Sequence, residues 1–380
     1  MTKYSIGWIG LGKCGFPIAE EIAKKITVLS HDIVFKETQY SEFKPKLNDL
    51  LSTNAIFVLV QTPHNDVNLD GSIPIDFSKT DDFDYATLTN LLHDLDRINY
   101  ENDIVICSTV SPGTIRNLSN KFHKLNIAYM PVMIHIGSVA HDYINAPMYY
   151  IGTKDGKPNN LIESILSQFV KTNDILTGTW EEVEIYKLMG NIFSSIKIAF
   201  ANTISEFIEY GDFNASSFNI IDALLKDTKR FNSASYLIPG GGTGGPCHPR
   251  DGVVLSYFTD KLNMESKILK NVAESRQDQS LALAKYLCSF NLPILILGKS
   301  FKMGVELDVG SYSVLVGTQC QTLGQTVYYD TAINEKCVVL LAHPDLSLLE
   351  KYKVSENDII IDLWNLNIPN SKVWGNNLKQ

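Results

Sequence analysis

Tyr4-Ser-Ile-Gly-Trp-Ile-Gly10-Leu-Gly12-Lys13-Cys14-Gly15-Phe-Pro17 is the stretch on which the fold turns. Tyr4 to Ile9 is short, apolar and closed by glycines, the pattern of a buried parallel strand. The glycines follow G-x-G-x-x-G spacing. In that pattern the first makes a tight turn, the second lets backbone approach a pyrophosphate, and the third lets helix and strand pack closely. A helix is predicted from about Pro17, with Glu20 and Glu21 in its first turns and Lys24 and Lys25 in its last, an order that suits the helix dipole. A second strand, Thr27 to Ser30, ends at His31-Asp32. Asp32 lies 17 residues past Gly15. A carboxylate there accepts ribose hydroxyls and repels a 2′-phosphate, so the expected cofactor is NAD rather than NADP.

Working outward, further apolar strands are predicted at Ile56 to Val60, Ile104 to Cys107 and Ile127 to Tyr129, separated by helix-length stretches. This alternation implies an α/β fold beginning with a doubly wound Rossmann-type domain, residues 1–178. From Trp180 to about Tyr210 apolar residues recur at helical spacing: Val183, Tyr186, Leu188, Ile192, Phe193, Ile196, Ile198 and Phe200. One long helix is expected, opening a central helical domain over 179–290. Helical patterns at 216–230 and 264–290 continue it. So broad an apolar surface needs cover on more than one side, hence an expected homodimer. Strands at Ile294 to Leu297, Thr326 to Tyr329, Val338 to Leu341 and Asp358 to Ile361 then imply a smaller Rossmann-like domain over 291–380.

The 380 residues are 44% hydrophobic and 20% charged, the balance of a globular protein. A formal charge of −9 argues against nucleic acid as a partner. The six cysteines form no C-x-x-C pair, which points away from zinc ribbons and disulfide scaffolds, and towards a cytoplasmic protein. No metal is expected. The apolar run after Lys3 is too short and glycine-broken for a membrane span or a signal peptide.

Pro239-Gly-Gly-Gly-Thr-Gly244-Gly245-Pro-Cys247-His-Pro-Arg250-Asp251 carries the chemistry. Five glycines in six residues do not serve stability. A loop of this kind lets backbone come close to a ligand. Cys247 follows it, with Arg250 three residues on. A nearby cation favours the thiolate, which is the nucleophile. On the long helix Glu184, Lys187 and Asn191 are spaced to share one face. A Lys and an Asn one turn apart can hold a developing oxyanion between them. An ordinary polar face has the same spacing.

These motifs together resemble the UDP-glucose/GDP-mannose dehydrogenase family over nearly the whole chain. Residues 6–17 look like its cofactor fingerprint. Gln61-Thr62-Pro63 with Asp70-Gly71 resembles its third-strand loop, and Ser108 to Thr114 its fourth-strand turn. The helix with Lys187 and Asn191, the stretch Gly244 to Asp251, and Gly298-Lys-Ser-Phe301-Lys302 complete the order. The resemblance implies NAD-dependent, four-electron oxidation of a nucleotide-linked sugar, a UDP-hexose being the expected substrate. In that scheme a primary alcohol becomes a carboxylate through a cysteine thiohemiacetal and thioester. It implies Cys247 as nucleophile, Lys187 and Asn191 on the oxyanion, Asp251 orienting or activating water, and Thr109 beside the nicotinamide. It implies cofactor contacts at Gly10, Gly12, Lys13, Cys14, Gly15, Asp32, Thr62, Pro63 and Thr109. Substrate contacts are implied at Tyr236, Gly244, Gly245, Arg250, Phe301 and Lys302.

Three departures stand out. The family's Asn-Pro-Glu-Phe-Leu-Arg-Glu-Gly reads Met130-Pro-Val-Met-Ile-His-Ile-Gly137, so the glutamate that assists thioester hydrolysis is Val132. Arg250 stands where the family has Lys. Glu306-Leu-Asp-Val-Gly-Ser311 lacks an arginine of the family pattern. A lost general base costs ~10²–10⁴ in rate. Two other readings stay open: a two-electron dehydrogenase of the β-hydroxyacid type, and a catalytically weak NAD- or nucleotide-binding protein. Counting NADH per substrate separates all three.

Overall fold

The computed structural model describes residues 4–64, 81–135, 137–229, 231, 240 and 247–375. The chain divides into two compact units, 1–195 and 196–380.

In the first unit the strands are β1 (Ser5–Ile9), β2 (Thr27–His31), β3 (Glu42–Phe43), β4 (Ala55–Val58), β5 (Asp103–Ile106), β6 (Asn126–Tyr129), β7 (Tyr149–Thr153) and β8 (Ile175–Thr179). The helices are α1 (Gly15–Ala23), α2 (Ala86–Arg97), α3 (Thr114–Lys121), α4 (Val139–Ile144), α5 (Asn160–Leu166) and the start of α6 (Trp180–Gly211). The strands form one sheet in the order β3-β2-β1-β4-β5-β6-β7-β8. Every pairing is parallel except β6 with β7. The order reverses between β1 and β4, the switch point at which doubly wound sheets bind ligands. Alternation along the strands divides the core. Ile6, Trp8, Phe57, Val105 and Ala128 face one layer, with Ile18 and Ile22 of α1. Ile9, Ile56, Val58, Ile104 and Ile127 face the other, with Leu88 and Leu92 of α2 and Ile115 of α3.

The second unit continues α6 and adds α7 (Ser217–Lys226), α8 (Cys247–Lys261) and α9 (Ile268–Cys288). It then forms β9 (Ile294–Leu297), α10 (Tyr312–Thr322), β10 (Val327–Tyr329), β11 (Val338–Leu341), α11 (Ser347–Lys351), β12 (Ile359–Asp362) and β13 (Lys372–Val373). Its sheet runs β10-β9-β11-β12-β13, all parallel. Helices α9 and α10 cover one face through Leu283, Leu287, Val316 and Cys320. Leu348 and Leu349 of α11 lie on the other.

Three details differ from the sequence expectations. Helix α1 starts at Gly15, so Glu20 and Glu21 are not in its first turn, and Lys24 is the residue that closes it. The Glu20 carboxylate instead accepts the backbone N–H groups of Gln39 at 2.7 Å and Tyr40 at 3.0 Å. Strands β7 and β8 were not foreseen, because β8 is half-exposed and mixes Thr and Gly with apolar residues. Residues 247–251, expected in a loop, form the first turn of α8. Pro249 fits there, since first-turn N–H groups have no partner within the helix. The long helix itself starts on a capping box: the Thr179 N–H donates to Glu182 at 2.7 Å, and the Glu182 N–H donates to the Thr179 hydroxyl at 3.3 Å.

Candidate active site

Each glycine of the first turn has its own reason. Gly10 has φ +100°, and a Cβ there would sit 2.2 Å from the Leu59 carbonyl oxygen. A Cβ on Gly15 would lie 1.9 Å from the Gly10 carbonyl oxygen, the close strand–helix packing that the third glycine permits. A Cβ on Gly12 would meet nothing within 4 Å. The turn therefore holds an open cradle at Gly12, in front of the first N–H groups of α1. That is the shape and polarity a pyrophosphate takes. Lys13 is exposed beside it, and half-buried Cys14 is the residue before α1. Asp32 braces the turn: its Oδ2 accepts the Leu11 N–H at 2.6 Å, and its Oδ1 the Val34 N–H at 2.9 Å. Each carboxylate oxygen has lone pairs to spare for a ribose hydroxyl.

Across the switch point, the ends of β4 and β5 are tied together. The Thr62 hydroxyl donates to the Thr109 carbonyl at 2.7 Å. The Ser108 hydroxyl donates to the Val60 carbonyl at 2.7 Å and accepts the Val60 N–H at 3.0 Å. These bonds place Thr62, Pro63 and Thr109 at the carboxyl ends of the central strands. Asp70 and Gly71 lie outside the described residues.

The three residues predicted to share a face of α6 differ in burial and in partners. Glu184 is fully buried, and its carboxylate accepts the N–H of Gly113 at 2.5 Å and of Ile115 at 2.7 Å. It caps α3, which starts from Gly113 at φ +88° and has no side-chain cap of its own. Burial raises its pKa, against those two bonds. Glu184 thus belongs to the framework. Lys187 is half-buried, and its ammonium donates to the Val132 carbonyl at 2.9 Å. Burial lowers its pKa, while the nearby Cys14 opposes the shift. The backbone of the residue standing in for the family glutamate therefore positions the lysine, a contact with no sequence signal. Asn191, one turn on, is exposed.

In the second unit Cys247 is exposed at the start of α8, the helix end that favours anions. Arg250 Nε donates to Asp251 Oδ1 at 2.7 Å, and both side chains are exposed. The bond holds the Asp251 carboxyl below the usual range. The guanidinium is raised by the same bond and by Asp251 and Cys247 beside it. Phe301 is half-buried, its N–H donating to the Leu307 carbonyl at 3.0 Å, and Lys302 is exposed. Tyr236, Gly244 and Gly245 lie outside the described residues. All six cysteines are free. Among the described residues no helix is long and apolar enough to cross a membrane.

Comparison with known proteins bears on this arrangement. Residues 181–277 match the model of the UDP-glucose/GDP-mannose dehydrogenase family, central domain. The chain is 26% identical over 228 residues to a UDP-glucose 6-dehydrogenase of Campylobacter jejuni, covering 59% of this chain and 53% of that one. It is 27% identical over 214 residues to a GDP-mannose 6-dehydrogenase of Pseudomonas aeruginosa, covering 53% and 48%. The chain thus spans about half the length of the curated relatives it matches. In fold it is similar to a GDP-mannose dehydrogenase from Pseudomonas aeruginosa solved as a ternary complex, with a TM-score of 0.80, 18% identity, and 97% and 99% of the two chains covered. The chain thus carries the central domain of the UDP-glucose/GDP-mannose dehydrogenase family at residues 181–277.

Proposed function

We propose that the chain oxidises the primary alcohol of a nucleotide-linked sugar, with a UDP-hexose as first candidate, to the carboxylate, using NAD. The observation that carries this reading is that the matched stretch, residues 181–277, contains Lys187, Asn191, Cys247, Arg250 and Asp251 together. The open cradle at Gly12, braced by Asp32, fits a dinucleotide, which when bound would accept hydride from the sugar carbon. Lys187 and Asn191 steady the oxygen of that carbon. The Cys247 sulfur then adds to the aldehyde, and loss of a second hydride leaves a thioester that water cleaves, releasing the acid and the thiol. Thr109 lies on the nicotinamide side. Tyr236, Gly244, Gly245, Arg250, Phe301 and Lys302 contact the substrate, and Asp251 orients water.

The same reading divides the chain into a cofactor domain (1–178), a central helical domain (179–290) and a nucleotide-sugar domain (291–380). It places the protein in the cytoplasm as a homodimer. Ile192, Ile196, Ile198 and Phe200 of α6 are 44 to 63% exposed, apolar surface that a second copy would cover. A monomer by light scattering at micromolar concentration would remove the dimer.

The nucleophile is tested with Cys247→Ser. The variant should bind the nucleotide sugar normally and lose the second oxidation, cutting acid release by about 10³-fold or more. Two NADH per sugar are expected from the parent; one would favour the two-electron reading, and none the weak-binding one that Val132 motivates. Parental acid release by Cys247→Ser refutes the nucleophile.

A further inference from the structure

Helix α3 starts without a cap of its own. Its N-cap position is Gly113, which has no side chain to offer, and the backbone there stands at φ +88°. A serine or aspartate at that position would satisfy the first N–H groups of the helix locally. Here the acceptor comes from α6, about seventy residues later: Glu184 takes the N–H groups of Gly113 at 2.5 Å and of Ile115 at 2.7 Å. Its carboxylate is fully buried, and each oxygen is engaged by one of the two bonds. Bonds to a charged acceptor are the strong ones, so this pair fixes the two elements firmly. A second tie runs beside it. Arg116 of α3 donates to both carboxylate oxygens of Glu181 on α6, from Nη2 at 2.9 Å. The Arg116 guanidinium lies 5.1 Å from the centre of the Trp180 ring.

The ties join two parts of the proposed site. The turn between β5 and α3 carries Thr109 at one end and Gly113 at the other. Two further bonds hold it: the Thr62 hydroxyl on the Thr109 carbonyl, and the Tyr85 hydroxyl, which accepts the Ser111 N–H at 2.9 Å. Lys187 lies three residues beyond Glu184, one turn along the same face of α6. Among the described residues its ammonium meets one hydrogen-bond acceptor, the Val132 carbonyl at 2.9 Å. One contact at the tip of a long side chain leaves the helix beneath it free to slide or turn. Glu184 removes that freedom by fixing α6, one turn from the lysine, against the turn that carries Thr109. All of these residues lie in the first compact unit, 1–195.

We propose that Glu184 is a positioning residue for the first hydride transfer: it sets the placement of Lys187 relative to the turn that carries Thr109. Being fully buried, it touches neither substrate nor cofactor. The proposal rests on the dehydrogenase reading above and concerns only its first oxidation. A shift of about 1 Å in reacting groups costs about 100-fold in rate. A cap for α3 alone needs no residue from α6; a cap taken from α6 couples the two.

The test is a double-mutant cycle on the full chain, with NAD and either UDP-glucose or GDP-mannose, read as the rate of the first NADH in a single turnover. Glu184→Gln keeps the shape of the side chain but turns an NH₂ group towards one of the two backbone donors. In the parent background it should slow the first NADH about 30–100-fold, with the sugar KM and the NAD Kd by calorimetry within about threefold. In a Lys187→Ala background the same change should cost less than about threefold, since no lysine is left to place. A residue that only supports the fold lowers both rates by one factor. Equal factors in the two backgrounds therefore overturn the proposal, as does a parental rate in Glu184→Gln. If Glu184→Gln does not fold, Glu184→Asp, which keeps the charge and shortens the reach, carries the same cycle with an expected loss of about tenfold. No NADH from either sugar with the parent chain, under conditions where NAD binds, overturns the dehydrogenase reading itself, and the positioning role with it.

Discussion

The turn after β1 and the turn after β9 are built from the same parts and lead to different places. Each leaves a buried parallel strand through a glycine at positive φ, Gly10 at +100° and Gly298 at +99°. Each is braced by an aspartate beyond the neighbouring strand: Asp32 takes the Leu11 N–H, and Asp330 takes the N–H groups of Gly298 at 2.7 Å and Lys299 at 2.9 Å. Beyond that they diverge. The first turn reaches α1 at Gly15, with open space over Gly12. At the second, Gly298 packs on His343, whose Nε2 donates to the Ser300 carbonyl at 2.8 Å, and no helix begins until Tyr312. The aspartate-braced glycine is thus a device for leaving a parallel strand. What converts it into a site for a pyrophosphate is a helix start directly behind it and a glycine whose missing side chain leaves room.

Five substitutions sharpen or break this contrast, taken from the largest effect down. Gly15→Val drives a side chain into the Gly10 carbonyl and should cost about 3 kcal/mol in urea denaturation and abolish NAD binding by calorimetry. Parental NAD affinity in that variant would mean the turn is no cofactor site. Gly298→Ala forces a side chain into a left-handed backbone and onto His343, for about 1–3 kcal/mol, with NAD affinity unchanged. Weakened NAD binding there would erase the distinction between the turns. Asp330→Ala and Asp32→Ala each remove a charged acceptor from backbone N–H groups, for about 1–3 kcal/mol. Only Asp32→Ala should narrow the preference for NAD over NADP, read from kcat/KM with both cofactors. Gly12→Ala places a methyl in empty space and should change stability by less than about 1 kcal/mol. It should nonetheless weaken NAD binding about tenfold; equal affinity would show that no ligand approaches there.

The glycine turn was legible because its chemistry is local. Gly10, Gly12, Gly15 and Asp32 sit at intervals set by one strand, one turn and one helix, and the structure places all four around that turn. The long helix was legible for the same reason: hydrophobic period specifies an element of this length. Spacing puts Glu184, Lys187 and Asn191 on one face of α6 but does not name the neighbours of each. Glu184 meets the bare N-terminus of α3, about seventy residues earlier in the chain.

Residue order alone determined the alternation of strands and helices, the position of the glycine turn and the long helix. Each of these follows from interactions between residues close in sequence: backbone sterics, side-chain period and helix propensity. Tertiary structure alone decided that Asp32 braces Leu11, that Glu184 caps α3 and that Lys187 rests on the carbonyl of Val132. These are pairings of backbone N–H or C=O groups with distant side chains. Every residue but proline carries the same backbone groups, so only the fold selects which of them a carboxylate or an ammonium will meet.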